Sequence, residues 1–285
     1  MKKINNYLSK FCIYTGLSLL AIITLFPIIY AVFGSLKTNM ELFNNSASIL
    51  PNNPTFEHYK ALLDHDSGMN YPRMFFTSTW FTAISVLVRV VGSSMAGYVF
   101  ARLNFPFKRI IFVIFSSLMF FSIGTMTIYP LFEILGVLNL DKSLWGLVVV
   151  RIFGISIVDV YLIISYLKTI PVAIDEAAEM DGCGFFGIYR RIHLPLLKPI
   201  LATVGILAFR DSWNEYLMPL LFTLTKPEQR TLMVGIVSLK NSSAGSASWG
   251  IMLASAMIAL LPVLIVYIFG NKMFIQGMVS GAVKE

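Results

Sequence analysis

Charge is scarce in this sequence. Only 13% of its 285 residues are Asp, Glu, Lys or Arg, about half the share usual in soluble globular chains, which excludes a molecule wetted on all sides. Cysteine is limited to Cys12, in an apolar run, and Cys183, in a polar one; two such residues build no disulfide framework and read as small, soft hydrophobes. The histidines, His58, His65 and His193, have no metal-ligand spacing, so no metal site is expected. No GxxxxGK[ST] phosphate loop occurs, so the chain is not expected to hydrolyse ATP or to be an enzyme, and no catalytic residue is assigned. Internal repeats, low-complexity tracts and the alternating pattern of a membrane barrel are also missing.

What is there is apolar. Hydrophobic residues make up 56% of the chain, and the mean hydropathy is +0.74, which places the protein in a bilayer. The 23 Phe and 14 Met read as lipid-facing and packing residues. The net charge of +7 comes from Lys and Arg at the ends of apolar runs rather than in a patch with interleaved aromatics, so membrane lipid is an expected partner and nucleic acid is not. A span needs about 20 mostly apolar residues. Six segments qualify, at about 11–33, 75–100, 110–129, 144–167, 199–224 and 249–269, within a single transmembrane domain over 1–285. Continuous apolar runs make the fold class all-α integral membrane.

Orientation follows from Lys and Arg in the connections. With the N-terminus inside, the inner side carries Lys2, Lys3, Lys10, Arg102, Lys108, Arg109, Lys168, Arg190, Arg191, Lys198, Lys272 and Lys284. The outer side carries fewer over a longer stretch: Lys37, Lys60, Arg73, Lys142, Lys226, Arg230 and Lys240. Both termini are therefore expected in the cytoplasm. In the largest outer loop, 34–72, Thr55 is a plausible N-cap for a short helix.

The polar stretch "DEAAEMDGCGFFGIYRRIHLPLLKP", Asp175 to Pro199, falls between the fourth and fifth spans, on the inner side. Pro171 suits a first helical turn, and Asp175, Glu176 and Glu179 put negative charge near its positive end. Gly182 can stop that helix in a left-handed cap. A second short helix through Tyr189, Arg190 and Arg191 leads to Pro195 and Pro199 at the head of the fifth span. The small pair Ala177 and Ala178 would permit close approach by another protein surface. A solvated loop is the plain reading, a docking lever the sharper one.

The spacing of Glu176, Ala177 and Ala178, then Gly182, then Ile192, Leu194 and Pro195 resembles the "EAA" motif of the membrane subunits of bacterial ABC importers. The rest looks like the carbohydrate-uptake branch, of the maltose-permease type, in "LPNNPTFEHY", "AGYVFARLNFP", "WNEYLMPLLF" and the C-terminal "FIQGMVSGAVKE". The resemblance implies a type I ABC importer permease fold of six transmembrane helices, with a cytoplasmic coupling helix in segment 171–195. It implies a bacterial cytoplasmic (inner) membrane location, a second homologous permease subunit, two ATPase subunits docking on 171–195 and an extracytoplasmic solute-binding protein. ATP and Mg would belong to the partner subunits, and this chain would carry no cofactor. Alternating access would be the mechanism, driven through a stiff lever that Pro195 and Pro199 make continuous with the fifth span.

Charged residues inside spans usually face a cavity or pair with one another. "FRDSWNEYLMP" in the fifth span is expected, as one helix, to put Arg210 with Asn214 on one face, Asp211 with Glu215 on the next, and Trp213 with Leu217 on another. Carboxylates, an amide and an aromatic platform suit a sugar, so Arg210, Asp211, Trp213, Asn214 and Glu215 are candidate path residues, with Arg89 and Arg151. Arg151 and Asp159, eight residues apart, could line the same path. Buried ion pairs that tie helices together are the competing reading. The same charges leave open an acidic saccharide, a uronate or a glycerol phosphate as cargo, and an ion-coupled carrier or a transport-inactive membrane scaffold as other functions.

Overall fold

A computed structural model describes residues 2–45, 47–63, 70–117, 127–241 and 248–282. Every regular element among these is helical. Among the described residues three helices are long and apolar enough to cross a bilayer alone: Lys10–Gly34 within α1 (Lys2–Gly34), α4 (Tyr71–Arg102), and Trp249–Phe274 within the helix Ser248–Ala282. Crossings reach five if each of two bent helix pairs counts as one. The expected third span, 110–129, is represented only at its ends, by α5 (Lys108–Ser117) and α6 (Ile128–Val137), because 118–126 lie outside the described residues.

The chain divides into two compact units, Met1–Pro72 with Gly235–Leu261, and Arg73–Val234 with Pro262–Glu285. In the first, α2 (Asn39–Asn44) is capped by Thr38, whose hydroxyl accepts from the Glu41 amide at 3.3 Å. The Thr55 hydroxyl accepts from the amide of Glu57, first residue of α3 (Glu57–Leu63), but from one position before the expected cap, which Phe56 occupies, its carbonyl accepting the first helical bond from Lys60. Lys37 is buried; its ammonium donates to the Ser48 carbonyl at 2.5 Å and lies over the Tyr30 ring.

In the second unit, α4 packs on α8 (Ile157–Leu167) at Gly97, where a Cβ would come within 2.6 Å of the Ile163 side chain. Small residues let helix backbones approach where lipid supplies no hydrophobic drive. One core cluster contains Tyr98, Ile163, Leu167, Tyr189, Leu197, Ile200 and Val204. A second gathers Phe81, Leu135, Phe222 and residues of α7 (Leu144–Phe153).

Two expected spans are broken. The fourth divides into α7 and α8 with a 42° bend: Gly154 ends the first helix, and the Ser156 hydroxyl accepts from the Asp159 amide to start the next. The fifth divides into α12 (Lys198–Trp213) and α13 (Leu217–Phe222). Pro219 explains the gap, since its ring in a continuous helix would collide with the carbonyl of residue 215. Of the face pairings expected of one uninterrupted helix, Arg210 with Asn214 survives, because Asn214 caps α12 one turn after Arg210, whereas Glu215 lies in the break and Leu217 starts α13, so neither continues the helix of Asp211 and Trp213. The lever is not collinear with its span either. α9 (Ala173–Met180), α10 (Phe185–Ile188), a π-turn at Tyr189–His193 and α11 (Leu194–Leu196) precede α12, and segment 185–196 meets α12 at 78° around Leu197. Pro199 has no N–H to carry the ladder through that corner.

Candidate functional site

Both helix breaks open onto one polar cavity of about 510 Å³. Irregular backbone at membrane depth persists only where protein buries it or where it lines a watery cavity. From α4 come Ser85 and Arg89, from α7 Arg151, from the first break Gly154 and Ser156, from α12 Asp211 and Ser212, and from the second break Glu215. Arg89 holds Asp159 at two points, Nε to Oδ2 at 2.5 Å and Nη2 to Oδ1 at 3.1 Å, and its Nη1 donates to Asp211 Oδ2 at 2.8 Å. A single guanidinium thus joins α4, α8 and α12. Arg151 donates through Nη1 to Ser212 Oγ at 2.5 Å, pairs through Nη2 with Glu215, and rests on the Phe81 ring at 4.7 Å. The planar fork of arginine makes such multi-point pairing possible. The Ser85 hydroxyl is buried without a protein partner.

Of the expected path residues, Arg89, Arg151, Asp211 and Glu215 line this cavity; Arg210, Trp213 and Asn214 do not. The Arg210 side chain is 63% exposed and donates to Asp211 Oδ1 at 2.8 Å. Trp213 is 5% exposed, stacked on Phe209 and met edge-on by Phe75. Asn214 closes α12 by donating from Nδ2 to the Arg210 carbonyl at 2.8 Å. Asp159 pairs with Arg89 rather than with Arg151. Ser85, Ser156 and Ser212 were missed by the sequence reasoning, although hydroxyls inside apolar runs are a usable signal for helix-to-helix polar contacts.

The polar lever has two faces. Its inner face is fastened to the end of α4. Asp175 pairs with Arg102 at 2.7 Å and with His193, while Arg102 Nη2 donates to the Ile170 carbonyl at 2.7 Å. Tyr98 stacks on Phe185 with centroids 4.5 Å apart, and the Tyr189 and Ser94 hydroxyls meet at 2.7 Å. Gly182 has φ +80°, the left-handed conformation expected of a helix-ending glycine. The outer face presents Glu176, Ala177, Glu179, Met180 at 88% exposure and Phe186 at 60%. Ala178 is buried within the chain, so only Ala177 of the small pair is open; Ile192 and Leu194 are half-buried and Pro195 is exposed.

Helices that span a membrane, break at a charged cavity and carry an exposed polar lever define a permease-type membrane subunit. Residues 89–276 match the family described as "Binding-protein-dependent transport system inner membrane component", and the chain belongs to that family, a transport component rather than a catalytic one. It is 34% identical over 268 residues to the arabinooligosaccharides transport system permease protein AraQ of Bacillus subtilis, covering 93% of this chain and 92% of that one. It is 31% identical to the maltodextrin transport system permease protein MdxG of the same organism, with 97% of each covered. The sulfoquinovosyl glycerol transport system permease protein SmoH of Agrobacterium fabrum is also 31% identical, with 95% and 93% covered. A chain from the crystal structure of a bacterial ABC transporter involved in the import of the acidic polysaccharide alginate shares the fold: TM-score 0.82, 22% identity, 95% and 98% covered.

Proposed function

We propose that this chain forms half of the translocation path of an ATP-driven importer for a neutral sugar or oligosaccharide, the other half coming from a second, homologous permease. The observation that carries the reading is the cavity at the two helix breaks. Each arginine in it is already matched by carboxylates, Arg89 by Asp159 and Asp211, Arg151 by Glu215. This half of the path therefore offers an anionic cargo no unmatched arginine, while a sugar hydroxyl needs donors and acceptors that trade partners, which these networks and the Ser85 hydroxyl supply. The printed names of AraQ and MdxG support an oligosaccharide as cargo.

The lever supplies the coupling. Two ATPase subunits bind and hydrolyse ATP, and one docks on the outer face of 171–195; its motion passes through Asp175, Tyr98 and Arg102 into α4, which carries Arg89. Both termini lie in the cytoplasm, and an extracytoplasmic binding protein delivers the cargo. The test is uptake by the assembled transporter in proteoliposomes with ATP on the lever side, comparing labelled neutral oligosaccharides with uronate oligosaccharides. Neutral, ATP-dependent uptake is expected. Uptake that survives ATP depletion and collapses with the ion gradient would replace this reading with an ion-coupled carrier, and uronate preference would overturn the neutral cargo.

A further inference from the structure

A second cavity, of about 820 Å³, lies at the same end of α4 as the lever and shares no lining residue with the charged one. Its floor is aromatic: Phe100 packs on Phe105 and Phe112 with centroids 5.7 and 5.6 Å apart. Its rim is cationic, with Lys108 and Arg109 from the first turn of α5 and Lys168 just beyond α8. Among the described residues no carboxylate lines it. Lys108 spends one N–H on the Leu103 carbonyl at 2.7 Å, which does not neutralise its charge. The partial positive charge of the α5 N-terminus adds to the rim. Phe107, immediately before it, has φ 61°, a conformation unfavourable for a bulky residue, and an exposed ring. Beyond the rim α5 continues as an exposed apolar surface through Ile111, Val113 and Ile114, so the cations stand at the end of an apolar run, the position that lipid headgroups favour.

We propose that this cavity binds one anionic phospholipid, its phosphate held by Lys108, Arg109 and Lys168 and the start of an acyl chain laid against Phe100, Phe105 and Phe112. The charge calls for an anion, and the aromatic floor and adjoining apolar helix call for a lipid rather than a free phosphate. Lys168 lies two residues before Ile170, whose carbonyl accepts from Arg102, so the lipid sits at the foot of the lever. The site is independent of which cargo the chain carries.

The test is native mass spectrometry of the full-length chain in mild detergent, titrated with dioleoylphosphatidylglycerol or dioleoylphosphatidylcholine, with inorganic phosphate as competitor. Selective retention of the anionic lipid is expected, weakening about fivefold for each cation removed in K108Q, R109Q and K168Q, and phosphate should not displace it. The charge-conserving K108R/K168R should retain the lipid; Ala101→Leu, which fills the apolar part and leaves every charge in place, should lose it. Equal retention of the zwitterionic lipid, undiminished binding in the Gln or Leu variants, or ready displacement by phosphate overturns the proposal.

Discussion

Arg89 and Asp159 stand 70 positions apart and meet in a two-point ion pair, Nε to Oδ2 at 2.5 Å and Nη2 to Oδ1 at 3.1 Å. The carboxylate is fully buried while the guanidinium reaches the cavity. The pair therefore fastens α4 to α8 and leaves the third arm of Arg89 free to hold Asp211 on α12. An element that joins three helices at a cavity both stabilises the bundle and registers any change in spacing between them.

Removing one member strands the other. Arg89→Ala leaves Asp159 buried without its partner, a change that costs about 3–5 kcal/mol when a buried pair is broken. Thermal unfolding in detergent should show a large drop. The double variant Arg89→Gln with Asp159→Asn removes both charges and should recover much of the loss; a double variant as unstable as Arg89→Ala alone would argue against the pairing.

Glu215 acts at the second break. Glu215→Gln keeps the shape and an acceptor for Arg151 but removes the charge that matches it, beside Ser212 and the Phe81 face. Losing the ionic part of such a bond costs about 1 kcal/mol, so uptake by the assembled transporter should fall about fivefold. Trp213→Phe, which alters a packed ring outside the cavity, should leave substrate preference unchanged. A reversed ranking of these two variants would move the path away from the cavity.

Gly182 tests the shape of the lever. A Cβ there would meet nothing within 4 Å, so the effect of Gly182→Ala is conformational: φ is +80°. Holding an alanine left-handed costs about 1–2 kcal/mol, too little to unfold the chain but enough to shift the turn. Assembly with the ATPase subunits or cargo-stimulated ATPase activity should weaken. Gly182→Asn should be milder, because Asn tolerates that region better than Ala.

Tyr98 separates docking from transmission. It touches Phe185, Tyr189 and His193 on the inner face of the lever and none of the exposed outer residues. In Tyr98→Ala the ATPase subunits should still bind, while ATP hydrolysis and uptake lose their proportionality. Loss of binding itself, with coupling intact in whatever complex remains, would place the transmitting contact elsewhere.

Much of the lever was legible before folding. Gly182 and the acidic first turn follow rules that operate within a few residues: the structure places a helix at 173–180 with Asp175 and Glu176 in its first turn and a left-handed glycine at 182, whereas Pro171 precedes the helix instead of starting it and Glu179 falls in its last turn. Its division into an inner and an outer face was not legible, because Asp175 is turned inward by its long-range pairing with Arg102 at the end of α4, and Ala178 on the same helix is buried with it. The break at Asn214–Tyr216 follows from Pro219, a local signal masked by the strength of the surrounding apolar run.

Composition and short spacing are enough to make this a helical membrane protein with a polar lever between apolar runs, because they set solvent preference and chain-local geometry. Packing of the bundle is what pairs Arg89 with Asp159 and Asp211, pairs Arg151 with Ser212 and Glu215, and leaves Arg210, Trp213 and Asn214 outside the cavity. Those partners lie 61 to 122 positions apart. Which charge meets which depends on where helices bend and cross, a property of the packed bundle that no single span contains.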